Sequence, residues 1–171
     1  ARFSADVRYG DAERNLFDIY LPDSNEATPL VIYFHGGGYV AGDKVQVRPD
    51  DIRAFLAAGI AFASINYPFI NTDPPYDNDG VIKPLMSSAR ALQFMRYHHE
   101  SLNLDPKRIG AYGISAGAST SLWLGIHDNL ADSNNTDPVL RESSRVNAVA
   151  ALSPQATLNF LRWEDILAPI V

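Results

Sequence analysis

Residues 29–35, PLVIYFH, run without a break through aliphatic, β-branched and aromatic side chains and are closed by Gly36, Gly37 and Gly38. A strand of this composition has no polar face to offer water, so the fold must cover it on both sides. The segments that follow continue the demand. Residues 48–58 set Ile52, Phe55 and Leu56 on one helical face, with Asp50 and Asp51 near the start and Gly59 where a helix terminates. A second apolar strand, IAFASIN, follows at 60–66. Leu85, Ala89, Leu92 and Met95 then recur at three- and four-residue spacing, the signature of an amphipathic helix that runs to about Glu100. Residues 108–114 form the next strand, Ser115 opens a further helix, and VNAVAALS at 146–153 is one more strand. Strands alternating with helices of this length predict an α/β fold with a mostly parallel central sheet and helices on both faces.

Three segments qualify that outline. NLFDIYL at 15–21 alternates apolar and polar residues, as an outer antiparallel strand would. NLDPK at 103–107 is expected to be a turn, because the residue before a proline resists helical geometry. Residues 68–80 are rich in Pro, Asp and Asn and predict a long excursion able to shape a binding mouth.

Composition narrows the function classes. The chain has 171 residues, enough for one domain with a sizeable core and no stapling. It has no cysteine, which excludes disulfides and thiolate metal sites. The net charge is −6 and the basic residues are scattered, which argues against a nucleic-acid surface. No apolar run approaches the ~20 residues needed to span a bilayer. Neither a metal nor an organic cofactor is implied, and the compartment and oligomeric state stay open.

The chemistry is concentrated in two glycine motifs. Gly113-Ile114-Ser115-Ala116-Gly117 sits between a strand and a helix, the setting of a nucleophile elbow, where a tight turn lifts the serine oxygen clear of the sheet. Side chains at Gly113 or Gly117 would collide with neighbouring elements, the helix dipole favours negative charge near Ser115, and the Ala116 N–H would face an oxyanion. His35-Gly36-Gly37-Gly38 follows a buried strand earlier in the chain, where its backbone can approach a substrate and aim the Gly36 and Gly37 N–H groups at the same oxygen.

HGGGYVAGD at 35–43, NYP at 66–68, LDPKRIGAYGISAGAS at 104–119 and DPVLRESSRVNAVAALSP at 137–154 resemble the α/β-hydrolase esterases of the hormone-sensitive-lipase and bacterial carboxylesterase type. The resemblance implies that Ser115 is the nucleophile, that the amides of Gly36, Gly37 and Ala116 form the oxyanion hole, and that His35 orients the glycine loop. It also implies a small-molecule ester as substrate. Ile114 departs from the acidic residue that many such relatives carry before the serine, which leaves the acyl preference open.

The base is harder to find. The chain has four histidines: His35, His98, His99 and His127. His35 belongs to the glycine loop, and His98 and His99 close an amphipathic helix. His127 falls twelve residues after Ser115 on the same expected helix, hence ~18 Å away, and suits a helix end. In this fold the triad runs Ser, then Asp or Glu, then His, and the residues after 153 offer no such pair; Glu164 and Asp165 are expected at solvated helix positions. Residues 1–171 are therefore expected to be the N-terminal portion of one catalytic domain, whose acid and histidine lie in a segment that is a separate C-terminal chain, a cleaved piece or not represented in these residues. The isolated piece is expected to be inactive. Tyr39, Tyr67, Phe69 and Tyr76 fall on loops near the expected mouth, where a packing role is expected for each and a pocket suited to a short-chain, aromatic or carbohydrate ester is the alternative. The competing expectations are a non-catalytic ligand-binding protein on the same scaffold and one chain of a two-chain esterase.

Overall fold

Alternate residues of the strand Thr28–Phe34 enter two different cores, as a strand covered on both faces requires. In this computed structural model, which describes residues 1–70 and 80–159, that strand is the third of six. The strands are β1 (Arg2–Arg8), β2 (Leu16–Leu21), β3 (Thr28–Phe34), β4 (Ala61–Ile65), β5 (Leu104–Ile114) and β6 (Ala148–Leu152). The helices are α1 (Pro49–Ala57), α2 (Ile82–Tyr97), the single turn α3 (His99–Leu102) and α4 (Ala116–Ile126). Leu30, Ile32 and Phe34 pack with Leu92 and Met95 of α2 and with Ala116 and Leu124 of α4. Tyr33 packs on the opposite face with Phe62, Val47 and the α1 residue Phe55. Each fully buried Leu, Ile or Phe contributes about 1.5–3 kcal/mol relative to its exposed state.

The sheet order is β1-β2-β4-β3-β5-β6. β4, β3, β5 and β6 are parallel neighbours, while β1 and β2 run antiparallel to their partners. From β3 the chain crosses to β4 on one side and later returns to β5 on the other. The loops leaving β3 and β5 therefore part above adjacent strand ends, which is where open α/β sheets form their crevices.

Three expectations need correction. β2 is antiparallel but not outermost, because β1 pairs along its outer side. RFSADVR escaped notice since it is mostly exposed and its alternation breaks at Asp6, which has φ 53° at a register shift. The irregularity has a use: it turns the Asp6 N–H to Asp18 (2.9 Å) and the Asp6 carboxylate to Lys44 (3.0 Å), which itself holds Asp18 at 2.7 Å. Second, the turn expected at 103–107 is confined to Asn103, whose left-handed backbone (φ 54°) ends α3; Leu104 already pairs with Thr28 in the sheet. Third, α2 stops at Tyr97, and α3 carries the rest of the segment.

The connection from α4 to β6 has little regular structure and is held instead by polar side chains of α2. Arg90 pairs with Asp137 at 2.6 Å, Gln93 donates to the Glu142 carbonyl at 2.8 Å, and Arg96 donates to the carbonyls of Pro106, Ser143 and Arg145. The bonds to Glu142, Ser143 and Arg145 satisfy backbone oxygens in a segment without regular structure.

Candidate active site

Phe34 and Gly113 are register partners on β3 and β5. The next residues on each strand are the start of the glycine loop and the serine elbow, so two motifs more than seventy residues apart in sequence meet at one place. A Cβ added at Gly36 would lie 3.2 Å from the Ile114 carbonyl and 3.5 Å from Ser115 Cβ. The glycine loop thus rests directly on the elbow.

Ser115 has φ 55° and ψ −119°. That combination is nearly closed to residues with a side chain and costs roughly 1–3 kcal/mol. The surroundings over-determine it. The Ser115 N–H donates to the Leu152 carbonyl at 2.9 Å, and the Ser119 N–H donates to the Ser115 carbonyl at 3.0 Å as α4 begins. The crossing is close enough that a Cβ at Gly117 would lie 1.9 Å from the Phe34 carbonyl oxygen, and one at Gly113 would lie 2.5 Å from the same atom. Glycine is a steric requirement at both positions. The result is a serine hydroxyl at the N-terminus of α4, where helix polarity stabilises developing negative charge.

His35 is completely buried and braces the glycine loop. Its Nδ1 lies 2.7 Å from the Gly36 carbonyl, and Arg14 reaches its Nε2 at 3.4 Å. Since Arg14 can only donate, Nε2 is the acceptor and Nδ1 carries the proton that bonds Gly36. Burial pushes the His35 pKa down to about 4, with the Arg14 charge acting in the same direction and the Gly36 bond opposing it. The ring is therefore neutral at neutral pH and serves as a brace rather than a base. Tyr67 stacks on it and donates to the His35 carbonyl at 2.6 Å.

The remainder of the brace comes from Arg14, which carried no sequence signal, and from residues in and beside the two segments that carry the resemblance. The Arg14 guanidinium lies 3.9 Å above the Phe69 ring centroid and donates to the carbonyls of Tyr67 (3.0 Å) and Gly42 (2.9 Å). Asn66 accepts from the Lys44 N–H at 2.7 Å and donates to Asp43 at 2.9 Å, which joins the Gly-Asp and Asn-Tyr-Pro segments. Burial alone would raise the Asp43 pKa, but bonds from Val45 and Asn66 and the Arg14 and Lys44 charges bring it below the usual carboxylate value.

Tyr39 and Tyr67, expected near a binding mouth, are fully buried. Tyr39 passes under the elbow and donates to the Ala116 carbonyl at 2.9 Å, with Thr120 at 3.1 Å; Tyr67 is committed to His35. Both are fixed by their hydroxyls, which need buried partners. Phe69 is half-buried and packs against Arg14 and His35. Tyr76, Glu164 and Asp165 lie outside the described residues. His98 contacts Phe94 and Tyr97 at the end of α2, His99 bonds the Arg96 carbonyl, and His127 caps the far end of α4 beside Trp123. None of them is hydrogen-bonded to Ser115. The side chain that does reach Ser115 Oγ, at 3.3 Å, is Gln155, which had not been anticipated. A cleft of about 410 Å³ opens beside the elbow, lined in part by Gly36, Gly37, Tyr112, Gly113 and Ile114. Among the described residues no cluster of three or more His, Cys, Asp or Glu could hold a metal, and no helix is long and apolar enough to cross a membrane.

A strand-elbow-helix serine beside a glycine loop at the sheet's switch point defines an α/β-hydrolase, and solved structures agree. An acetyl ester-xyloside bifunctional hydrolase from Caldicellulosiruptor lactoaceticus superposes with a TM-score of 0.68 at 28% identity, over 85% of this chain and 55% of that one. Within the class, the BD-FAE family profile matches residues 17–166, and the chain belongs to that family. A probable isoprenylcysteine alpha-carbonyl methylesterase of Arabidopsis thaliana is 30% identical over 156 residues, covering 86% of this chain and 30% of the relative. A kynurenine formamidase of Danio rerio is 61% identical over 121 residues, 66% of this chain and 35% of the relative. The chain thus spans about a third of these curated relatives' length and about half of the solved structure's.

Proposed function

We propose that this chain carries the nucleophile and the oxyanion donors of a serine carboxylic ester hydrolase. Ser115 Oγ attacks the ester carbonyl while its proton passes to a base; the alcohol leaves with a proton, and water then hydrolyses the acyl-enzyme. The N–H groups of Gly36, Gly37 and Ala116 bind the tetrahedral oxyanion, and removal of one such donor costs about 3–4 kcal/mol of transition-state stabilisation. The supporting observation is the strained Ser115 backbone at the start of α4, packed against Gly36. In this reading the base and its acid partner come from beyond these 171 residues, on the same polypeptide or on a separate chain, which is supported by the other partners that His35, His98, His99 and His127 keep.

The expected substrate is a short acyl group on an aromatic or carbohydrate alcohol, in keeping with the similarity to an acetyl ester-xyloside hydrolase. Hydrolysis of p-nitrophenyl acetate and of acetylated xylose by the full-length protein, with little action on long-chain esters, is the expected result; preference for long acyl chains contradicts it.

The identity with a formamidase supports a second reading, hydrolysis of an aryl formamide by the same acyl-enzyme route with an amine leaving. Comparing kcat/KM for p-nitrophenyl acetate and formanilide separates the two.

A further inference from the structure

Gln155 stands on the loop leaving β6, and that loop is sewn to the first turn of α4. The Gln155 backbone N–H donates to Ser119 Oγ at 2.9 Å, complementing the bond from Ser115 N–H to Leu152. One orientation of its side-chain amide gives each end a matching partner. The oxygen then accepts from the Ala116 N–H at 3.0 Å, and the nitrogen donates to the Ser115 carbonyl at 3.0 Å and to Ser119 Oγ. The end of the amide carrying that oxygen lies 3.3 Å from Ser115 Oγ. A carbonyl oxygen of the protein's own thus occupies the donor that a substrate carbonyl needs, within contact of the nucleophile.

We propose that Gln155 is a built-in stand-in for the substrate carbonyl, which holds the Ala116 N–H in the resting site and must rotate away before an ester binds. The proposal rests on Ser115 being the nucleophile and Ala116 an oxyanion donor. It makes Gln155 a determinant of affinity rather than of chemistry. A carbonyl on the Ala116 N–H competes with every substrate, while the acyl-transfer step proceeds only after the amide has left. Retaining the backbone bond from Gln155 to Ser119 means that side-chain variants keep the loop attached.

The test is the second-order rate of Ser115 phosphonylation by a fluorophosphonate in the full-length protein, together with p-nitrophenyl acetate kinetics. Gln155→Ala is expected to raise the phosphonylation rate about 3- to 10-fold, the release of one competing hydrogen bond, and to lower KM with kcat little changed. Gln155→Ser, too short to reach the Ala116 N–H, is expected to show the same gain. An unchanged or slower rate in the folded Gln155→Ala and Gln155→Ser variants overturns the proposal. Ser115→Ala separates the underlying reading: adduct or turnover surviving in that variant removes the nucleophile itself, whatever Gln155 does.

Discussion

Phe34 and Gly113 face one another across the parallel strands β3 and β5, and the Phe34 carbonyl oxygen fills the space that a side chain at Gly117 would need. The close packing of the start of α4 on the end of β3 puts the serine turn and the glycine loop in contact. Everything the site can do depends on that approach.

Gly117→Ala should accordingly destabilise the protein by more than about 4 kcal/mol, the range reserved for severe overlaps, since its Cβ would lie 1.9 Å from the Phe34 oxygen. Gly59→Ala is the contrast: its φ is 73°, but nothing lies within 4 Å of the added carbon. Backbone strain alone should cost about 1 kcal/mol there. Urea unfolding of both variants measures the difference, and equal losses contradict the crossing as described.

His35 predicts an acid-sensitive glycine loop. Its folded pKa is depressed from 6.5 to about 4, so the unfolded chain binds the proton more readily. Stability from this group is complete above pH 6.5 and is lost as pH falls through 4, by up to roughly 3 kcal/mol. The depressed Asp43 pKa acts in the same sense at lower pH. Chemical denaturation between pH 7.5 and pH 4 (values on the order of His titration) should show this slope in the wild type and a shallower one in His35→Gln. Identical slopes contradict the assignment.

Lys44 ties the outer strands to the glycine loop through Asp18 and Asp6. Lys44→Met leaves the buried Asp18 carboxylate without its cation and should cost roughly 1.5–3 kcal/mol. Removing Asp6, which is exposed, should cost less than about 1 kcal/mol. Thermal unfolding of the two variants gives the ranking, and a larger loss from Asp6→Asn contradicts it.

Residue patterns expose the parts of this fold that obey a single period. The uninterrupted apolar run at 29–35 and the spacing of Leu85, Ala89, Leu92 and Met95 each named their element, because burial on both faces and on one helical face leave different marks. β1 left no mark, since an exposed strand bent at Asp6 has no period to read. The two glycine motifs were visible because backbone crowding admits only one residue type. Arg14, Gln155 and the hydrogen-bond partners of the buried Tyr39 and Tyr67 were not visible. Each depends on which loops meet at the switch point between β3 and β5, and that meeting is set by strand order rather than by any local pattern.

The most direct test is to treat the full-length protein with a fluorophosphonate and map the adduct by peptide mass spectrometry. A single adduct on Ser115, lost in Ser115→Ala together with ester turnover, is the predicted result. A folded, ester-hydrolysing protein whose Ser115 stays unmodified contradicts the assignment of the nucleophile.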